Sequence, residues 1–290
     1  MLVRRPEGKA FPVMFLGDIQ STGFQSPQSK ASLTVLKENV KRGMDCGAWF
    51  VGMGDFTDTF SPSNRARLAA AGLYDTATDT IDAKNLDLIL ELYNVALKPT
   101  KGRWLGLLAG HHWHQFKYGD TTDMRLASLL DAPFVGDCVA IRLKFQLGGS
   151  KQLSALIWAH HGVGNGQTGY YPLARLEKVA AGWEGVDVFA MGHTTKQAVE
   201  ATNKLRTRWG HDATEGQFDL VSRKVVLVGS GGYSKAYVEN AIQGQVPSGG
   251  YAEKRMLNPS VMGSPVVWFW PKRVMEGGVE RLVLDVTGEA

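Results

Sequence analysis

Trp49-Phe50-Val51-Gly52-Met53-Gly54-Asp55-Phe56-Thr57-Asp58 is the stretch that decides the fold. Its apolar run is short and unbroken, glycines end it, and an acid follows at once. That is the pattern of a buried strand feeding a functional loop. The same plan occurs upstream, where Val13-Met14-Phe15-Leu16 stops at Gly17-Asp18-Ile19-Gln20. Between the two runs, Leu33, Leu36 and Val40 recur at helical spacing after Ser32, with Gly43 read as the stop. Strand, helix, strand therefore brings Asp18 and Asp55 to the same end of two strands.

Downstream the pattern repeats with histidine in place of acid. Residues 56–80, rich in Thr, Ser, Asp and Ala, read as a loop-rich insertion. Asp82 to Leu97 is the strongest helix, with Leu86, Ile89, Leu90, Tyr93 and Leu97 on one stripe before Pro99. Leu105 to Ala109 is a strand that delivers Gly110-His111-His112-Trp113-His114, and Thr122 to Leu130 is a helix. Ile141, Leu143, Phe145 and Leu147 alternate with Arg142, Lys144 and Gln146, which predicts an antiparallel strand with one wet face. Leu153 to Trp158 leads to His160-His161-Gly162, Pro172 to Ala181 is helical, and Val186 to Met191 leads to Gly192-His193-Thr194.

Short strands follow at 218–220, 225–228, 266–269 and 282–286. The expectation is one domain over 1–290, a mixed α/β sandwich in which 196–290 completes a second sheet. Six of the seven histidines fall in three clusters at strand ends. With the two acids they form a ladder of metal-ligand types, since borderline divalent ions take imidazole nitrogen and carboxylate oxygen.

Composition sets bounds on function. The 290 residues carry 44% hydrophobic and 21% charged residues, which excludes a disordered chain and permits a large core. A net charge of +4 allows phosphate-bearing partners without demanding them. Cys46 and Cys138 have no CxxC spacing, so a disulfide framework or cysteine metal knuckle is excluded and a reducing, cytoplasmic setting is expected. No export signal or membrane span is visible in the sequence, and it has no P-loop, dinucleotide fingerprint or nucleophile elbow.

The order of these motifs resembles the calcineurin-like metallophosphoesterase superfamily over roughly residues 13 to 195. Asp18 stands at the first motif, Gly54-Asp55-Phe56-Thr57-Asp58 fits the second, and His112 falls where the family keeps a phosphate-contacting histidine. His160 stands at the isolated ligand position and His193 on the first histidine of the last motif. The resemblance implies a four-layer α/β/β/α sandwich with two mixed sheets and a pair of divalent ions. Mn²⁺ leads, with Zn²⁺, Fe²⁺, Ni²⁺ and Mg²⁺ as alternatives. It also implies phosphoester hydrolysis, with phosphodiesters or nucleic acid ahead of small phosphomonoesters.

Three departures alter that expectation. Gln20 and Thr195 replace two histidines that serve one ion, and His111 replaces an Asn that serves the other. The chain is therefore expected to hold one ion well at Asp55, His111, His160 and His193, and a second weakly at Asp18, Asp55 and Gln20. His112 would contact phosphate or protonate a leaving oxygen, and Asp58 would orient it. Adjacent side chains after a strand point apart, so His160 rather than His161 is expected as the ligand, with His161, His114, Trp113 and Thr195 lining the rim. Gly229 to Tyr233 forms either a Gly-rich turn or a rim element carrying Tyr233. The alternative function is a scaffold or binding protein that kept the fold and lost catalytic power with the second ion.

Overall fold

Two six-stranded sheets stack face to face in the computed structural model, each with helices on its outer side. The structure describes residues 1–4, 8–24, 31–59, 78–147, 152–164, 166, 168–208, 219–237, 242–243, 246–247, 251–254, 256, 258–276 and 279–290. The elements are β1 (Leu2–Arg4), β2 (Phe11–Leu16), α1 (Leu33–Asp45), β3 (Trp49–Gly52), α2 (Thr78–Leu92), β4 (Trp104–Leu108), α3 (Thr122–Leu130) and β5 (Phe134–Gly136). They continue with β6 (Cys138–Gln146), β7 (Gln152–His160), α4 (Tyr171–Ala181), β8 (Val188–Met191), β9 (Gln197–Arg208) and β10 (Asp219–Ser230). The last are β11 (Ile242–Gln243), β12 (Val246–Pro247), α5 (Tyr251–Lys254), β13 (Val266–Glu276) and β14 (Val279–Glu289).

The first sheet runs β14-β13-β2-β3-β4-β5, the second β1-β6-β7-β8-β10-β9. β2 to β5 are parallel, as are β7, β8 and β10, while β13 and β9 close antiparallel pairs. Both sheets are thus mixed, as expected. β2 shows why its apolar run has no gaps. Met14 and Leu16 pack toward α1 and α2 with Phe50, Leu36 and Ile89, while Val13 and Phe15 enter the core between the sheets with Val51, Ile157 and Val188. A strand covered on both sides cannot alternate with polar residues. Each fully buried Leu or Phe contributes about 1.5–3 kcal/mol. On the far face, Leu173, Leu176 and Ala180 of α4 cover Trp158, Phe189 and Leu227.

Several boundaries shift. α1 does not stop at Gly43 but runs to Asp45, and Gly43 is a close-packing point where a Cβ would lie 2.9 Å from the Phe50 ring. α2 begins before Asp82 and continues through a π-helical turn, Tyr93–Leu97, and a 3-10 turn, Lys98–Thr100. Its inner stripe is Asn85, Ile89, Leu92 and Ala96, whereas Leu86 and Leu90 are exposed. The late short strands are parts of long ribbons: β10 covers 12 residues, and β13 and β14 cover 11 each. Residues 196–290 do not all complete one sheet, because β9 and β10 extend the second and β13 and β14 extend the first. Most of the 56–80 insertion, residues 60–77, lies outside the described residues. No helix among the described residues is long and apolar enough to cross a membrane.

Candidate metal centre

The loops that leave β2, β3, β4, β7 and β8 meet between the two sheets at the carboxyl ends of their strands. That crevice is where open α/β sheets place ligands. The backbone there is strained. Of seven non-glycine residues with positive φ among those described, five are Asp18 (48°), Gln20 (51°), Asp55 (52°), His193 (67°) and Thr195 (51°). Such conformations persist only where surrounding bonds impose them. Here Asp18 N donates to Gly54 O at 2.9 Å, Gln20 N to Asp55 O at 2.9 Å, and His193 N to Asp18 Oδ2 at 2.8 Å. Gly110 admits a close approach of two loops, since a Cβ on it would stand 2.2 Å from the Asp55 backbone nitrogen.

His111, His161 and His193 offer ring nitrogens that all lie within 4.8 Å of one another. His111 Nδ1 is 3.1 Å from His193 Nδ1, and burial lowers the basicity of both, that of His111 to about 4. Both are therefore neutral donors near pH 7. His161 Nδ1 donates to the Met53 carbonyl at 2.6 Å, which turns its Nε2 toward Asp55 Oδ2, 3.3 Å away. Asp55 Oδ1 accepts from the backbone nitrogens of His111 and His112. Burial pushes the Asp55 carboxyl upward, but the imidazoles of His161 and His112 outweigh it and hold the group well below the usual carboxylate range. Burial also pushes Asp18 up to about 8, partly offset by His161. His161 itself stands near 9, because Asp55 and Asp18 overcome the effect of its burial.

Asp18 Oδ1 is buried without a hydrogen-bond partner, and Asp55 Oδ2 and His161 Nε2 have no close partner but each other at 3.3 Å. Buried polar atoms are rarely left unpaired, and a cation that displaced the proton between His161 and Asp55 would satisfy both beside two more imidazoles. The donor set, three imidazoles and a carboxylate, suits one borderline divalent ion.

The sequence-predicted residues divide into those the fold brings together and those it does not. Asp18, Asp55, His111 and His193 meet. His160 does not: it stacks on Trp158 at a centroid separation of 5.7 Å, accepts from Gly162 N at 2.7 Å, and leaves His161 to enter the cluster. His112 sits beside it, Nε2 3.9 Å from Asp55 Oδ2 and Nδ1 2.9 Å from Asp58 Oδ1. The Asp58 contact, ahead of all other influences, raises its basicity. Gln20 Oε1 already accepts from Ser234 Oγ at 3.1 Å. Thr195 is half-buried near Asp18, since a Cβ on Gly232 would lie 3.1 Å from the Cβ of each.

Trp113 is half-buried beside His112. His114 is not on a rim: it is fully buried, with Nε2 2.6 Å from Asp82 Oδ1. Tyr233 is also buried, its hydroxyl 3.0 Å from Ser264 Oγ, and only its backbone nitrogen reaches Asp18 O at 3.0 Å. Sequence reasoning missed Asp123, wholly buried in the first turn of α3, whose Oδ2 accepts from Gly110 N at 2.8 Å and so fixes the histidine loop. Its signal was an acid in the first helical turn, two residues after the Thr121 cap.

The sheet order and the site at its strand ends define a four-layer α/β/β/α sandwich of the metallophosphoesterase-like kind. No protein-family model matches the chain, and no curated protein matches it. Among solved structures it is similar to vacuolar protein sorting 29 from Cryptosporidium parvum, at 11% identity over 97% of this chain and 99% of that one, with a TM-score of 0.31. A likeness of that size adds nothing to what the strand order already defines.

Proposed function

We propose that this chain is a metal-binding protein that holds one divalent ion at Asp55, His111, His161 and His193 and is weak or inactive as a phosphoester hydrolase. The observation that carries this reading is the three-imidazole cluster beside the buried Asp55 carboxylate, whose Oδ2 lies 3.3 Å from His161 Nε2. A second ion would need Asp18, Gln20 and Thr195. An amide oxygen engaged by Ser234, a hydroxyl, and a carboxyl that burial keeps largely protonated near neutrality make a poor set of donors. The bound ion would supply Lewis acidity toward an oxygen ligand such as phosphate. The protein would then act chiefly through what it binds.

Metal analysis after gentle purification, followed by Mn²⁺ titration, tests the proposal. One tight ion, with no turnover of bis-p-nitrophenyl phosphate as Mn²⁺ is raised, supports it. Two tight ions sink it.

A dinuclear hydrolase acting on phosphodiesters or nucleic acid is the second reading, favoured by the His112–Asp58 pair at the cluster's edge. Asp58 would orient His112 and favour its protonated form, from which it could give a proton to a leaving oxygen. Turnover that rises with added Mn²⁺ and disappears in Asp55→Asn would establish this reading instead.

A further inference from the structure

A cleft of about 230 Å³ opens beside the candidate metal centre, walled by the loops after β2 and β3 and by one face of α2. It is smaller than the roughly 300–1,000 Å³ of whole small-molecule sites, so it has room for one group of a larger ligand. Asp58 belongs to both places. It lines the cleft while its Oδ1 holds His112 Nδ1 at 2.9 Å, and His112 Nε2 is 3.9 Å from Asp55 Oδ2. The cleft therefore starts one imidazole ring away from the central carboxylate.

Asn85 is the residue that gives the cleft its chemistry. It occupies a place in the inner stripe of α2 where Ile89 and Leu92 follow, and it is only 4% exposed. Its Nδ2 donates to Ile81 O at 2.8 Å, but its Oδ1 is buried without a partner. A polar side chain left half-satisfied in an apolar stripe is a local conflict of the sort that marks a binding site. The missing partner must be a donor.

The rest of the lining narrows the ligand. A carboxylate at Asp58 and an uncapped carbonyl at Asn85 disfavour an anion and favour hydroxyl donors. Lys84 offers donors to hydroxyl oxygens, Thr59 Oγ1, whose proton goes to His112 O at 2.6 Å, offers a further acceptor, and Leu88 offers an apolar wall for C–H surface. We infer that this cleft binds the alcohol part of a phosphoester, a small polyol of pentose or glycerol size, with its phosphate turned toward the metal centre. Only the phosphate end rests on the proposed metal centre. The polyol end stands on the cleft itself.

Calorimetry on the Mn²⁺-loaded protein compares ribose 5-phosphate, glycerol 3-phosphate and inorganic phosphate. At least one ester is expected to bind about tenfold more tightly than phosphate, and the order of the two esters identifies the polyol. Asn85→Leu, which keeps side-chain size and helix propensity, and Lys84→Met are each expected to reduce that advantage severalfold while Mn²⁺ affinity is unchanged. Equal affinity for esters and phosphate, or an advantage that survives both substitutions, would overturn the inference. If Mn²⁺ itself does not bind, the metal centre is wrong and the cleft is judged separately. Ribose or glycerol added to the metal-free protein must then shift the Asn85 side-chain amide and the Thr59 backbone amide in ¹H–¹⁵N spectra. Unmoved resonances would refute the cleft as a polyol site.

Discussion

His111 Nδ1 and His193 Nδ1 face each other at 3.1 Å across the gap between the two sheets, one imidazole supplied by each. The two nitrogens hydrogen-bond only if one of them carries the proton, and a metal ion would take the place of that proton. His161 completes the triangle. His111→Ala, His161→Ala and His193→Ala are each expected to weaken Mn²⁺ binding by more than the roughly 10–100-fold typical of losing an outer partner of a ligand. His160→Ala should leave the affinity within a fewfold of the original. Competition titration with a chromogenic chelator measures all four. A large loss with His160→Ala and none with His161→Ala would reverse the assignment.

The second metal position should be recoverable by restoring its donors. Gln20 and Thr195 both have φ near 51°, a conformation that histidine enters more readily than a β-branched residue does. Gln20→His together with Thr195→His should therefore fold and give a second Mn²⁺ step in calorimetry. Turnover of bis-p-nitrophenyl phosphate should rise by on the order of 10²-fold, the scale on which positioned polar groups alter rates. A double variant that binds two ions and stays inert would place the catalytic defect elsewhere.

Asp123 should make the metal-free protein's stability fall with pH. Burial, partly offset by the Gly110 backbone nitrogen, raises this carboxyl from 3.8 to about 7. Below pH 3.8 folded and unfolded states both hold the proton, and between about 4 and 7 only the folded state does. The folded state is thus favoured at low pH and loses that advantage as pH rises through about 7. Asp123→Asn keeps an acceptor for Gly110 and has no charge to bury. Near pH 8 it should be more stable than the parent by up to about 4 kcal/mol, and near pH 4 almost equal to it. Urea unfolding at the two pH values checks this.

His114 has a structural task that its place among the other histidines disguised. Fully buried against Asp82 and edge-on to Phe116, it ties the loop after β4 to α2. His114→Ala should cost about 2–4 kcal/mol through the cavity and the loss of the partner of Asp82 Oδ1, since only Oδ2 keeps its bond from Lys117 N. Mn²⁺ affinity should stay within a fewfold of the parent value. A stable variant with impaired metal binding would return His114 to the rim.

Much of the architecture was legible because burial on both faces leaves a mark in one dimension. Val13–Leu16 and Trp49–Val51 have no polar gaps, and their acids follow directly, so strand identity and the shared end of Asp18 and Asp55 could be read off. Thr122–Leu130 was equally plain, with Thr121 Oγ1 accepting from Met124 N at 3.2 Å and Asp131 closing the helix in a left-handed conformation. Helix limits were harder. Gly43 serves packing against Phe50 rather than termination, a distinction that depends on what lies opposite it.

The sequence by itself determined which residue types gather at the strand ends, because a short apolar run ending in glycine and a ligand needs no distant contact to be recognised. Tertiary structure alone decided which histidine of a pair faces the cluster. Along β7, Trp158 packs under α4 while Ala159 enters the core between the sheets, and the alternation continues into His160 and His161. Side chains one apart on a strand point to opposite faces, but nothing local says which face another sheet will cover. Packing β7 against the first sheet through its small residues Ala155 and Ala159 settled that, and His161 followed Ala159 toward His111 and His193.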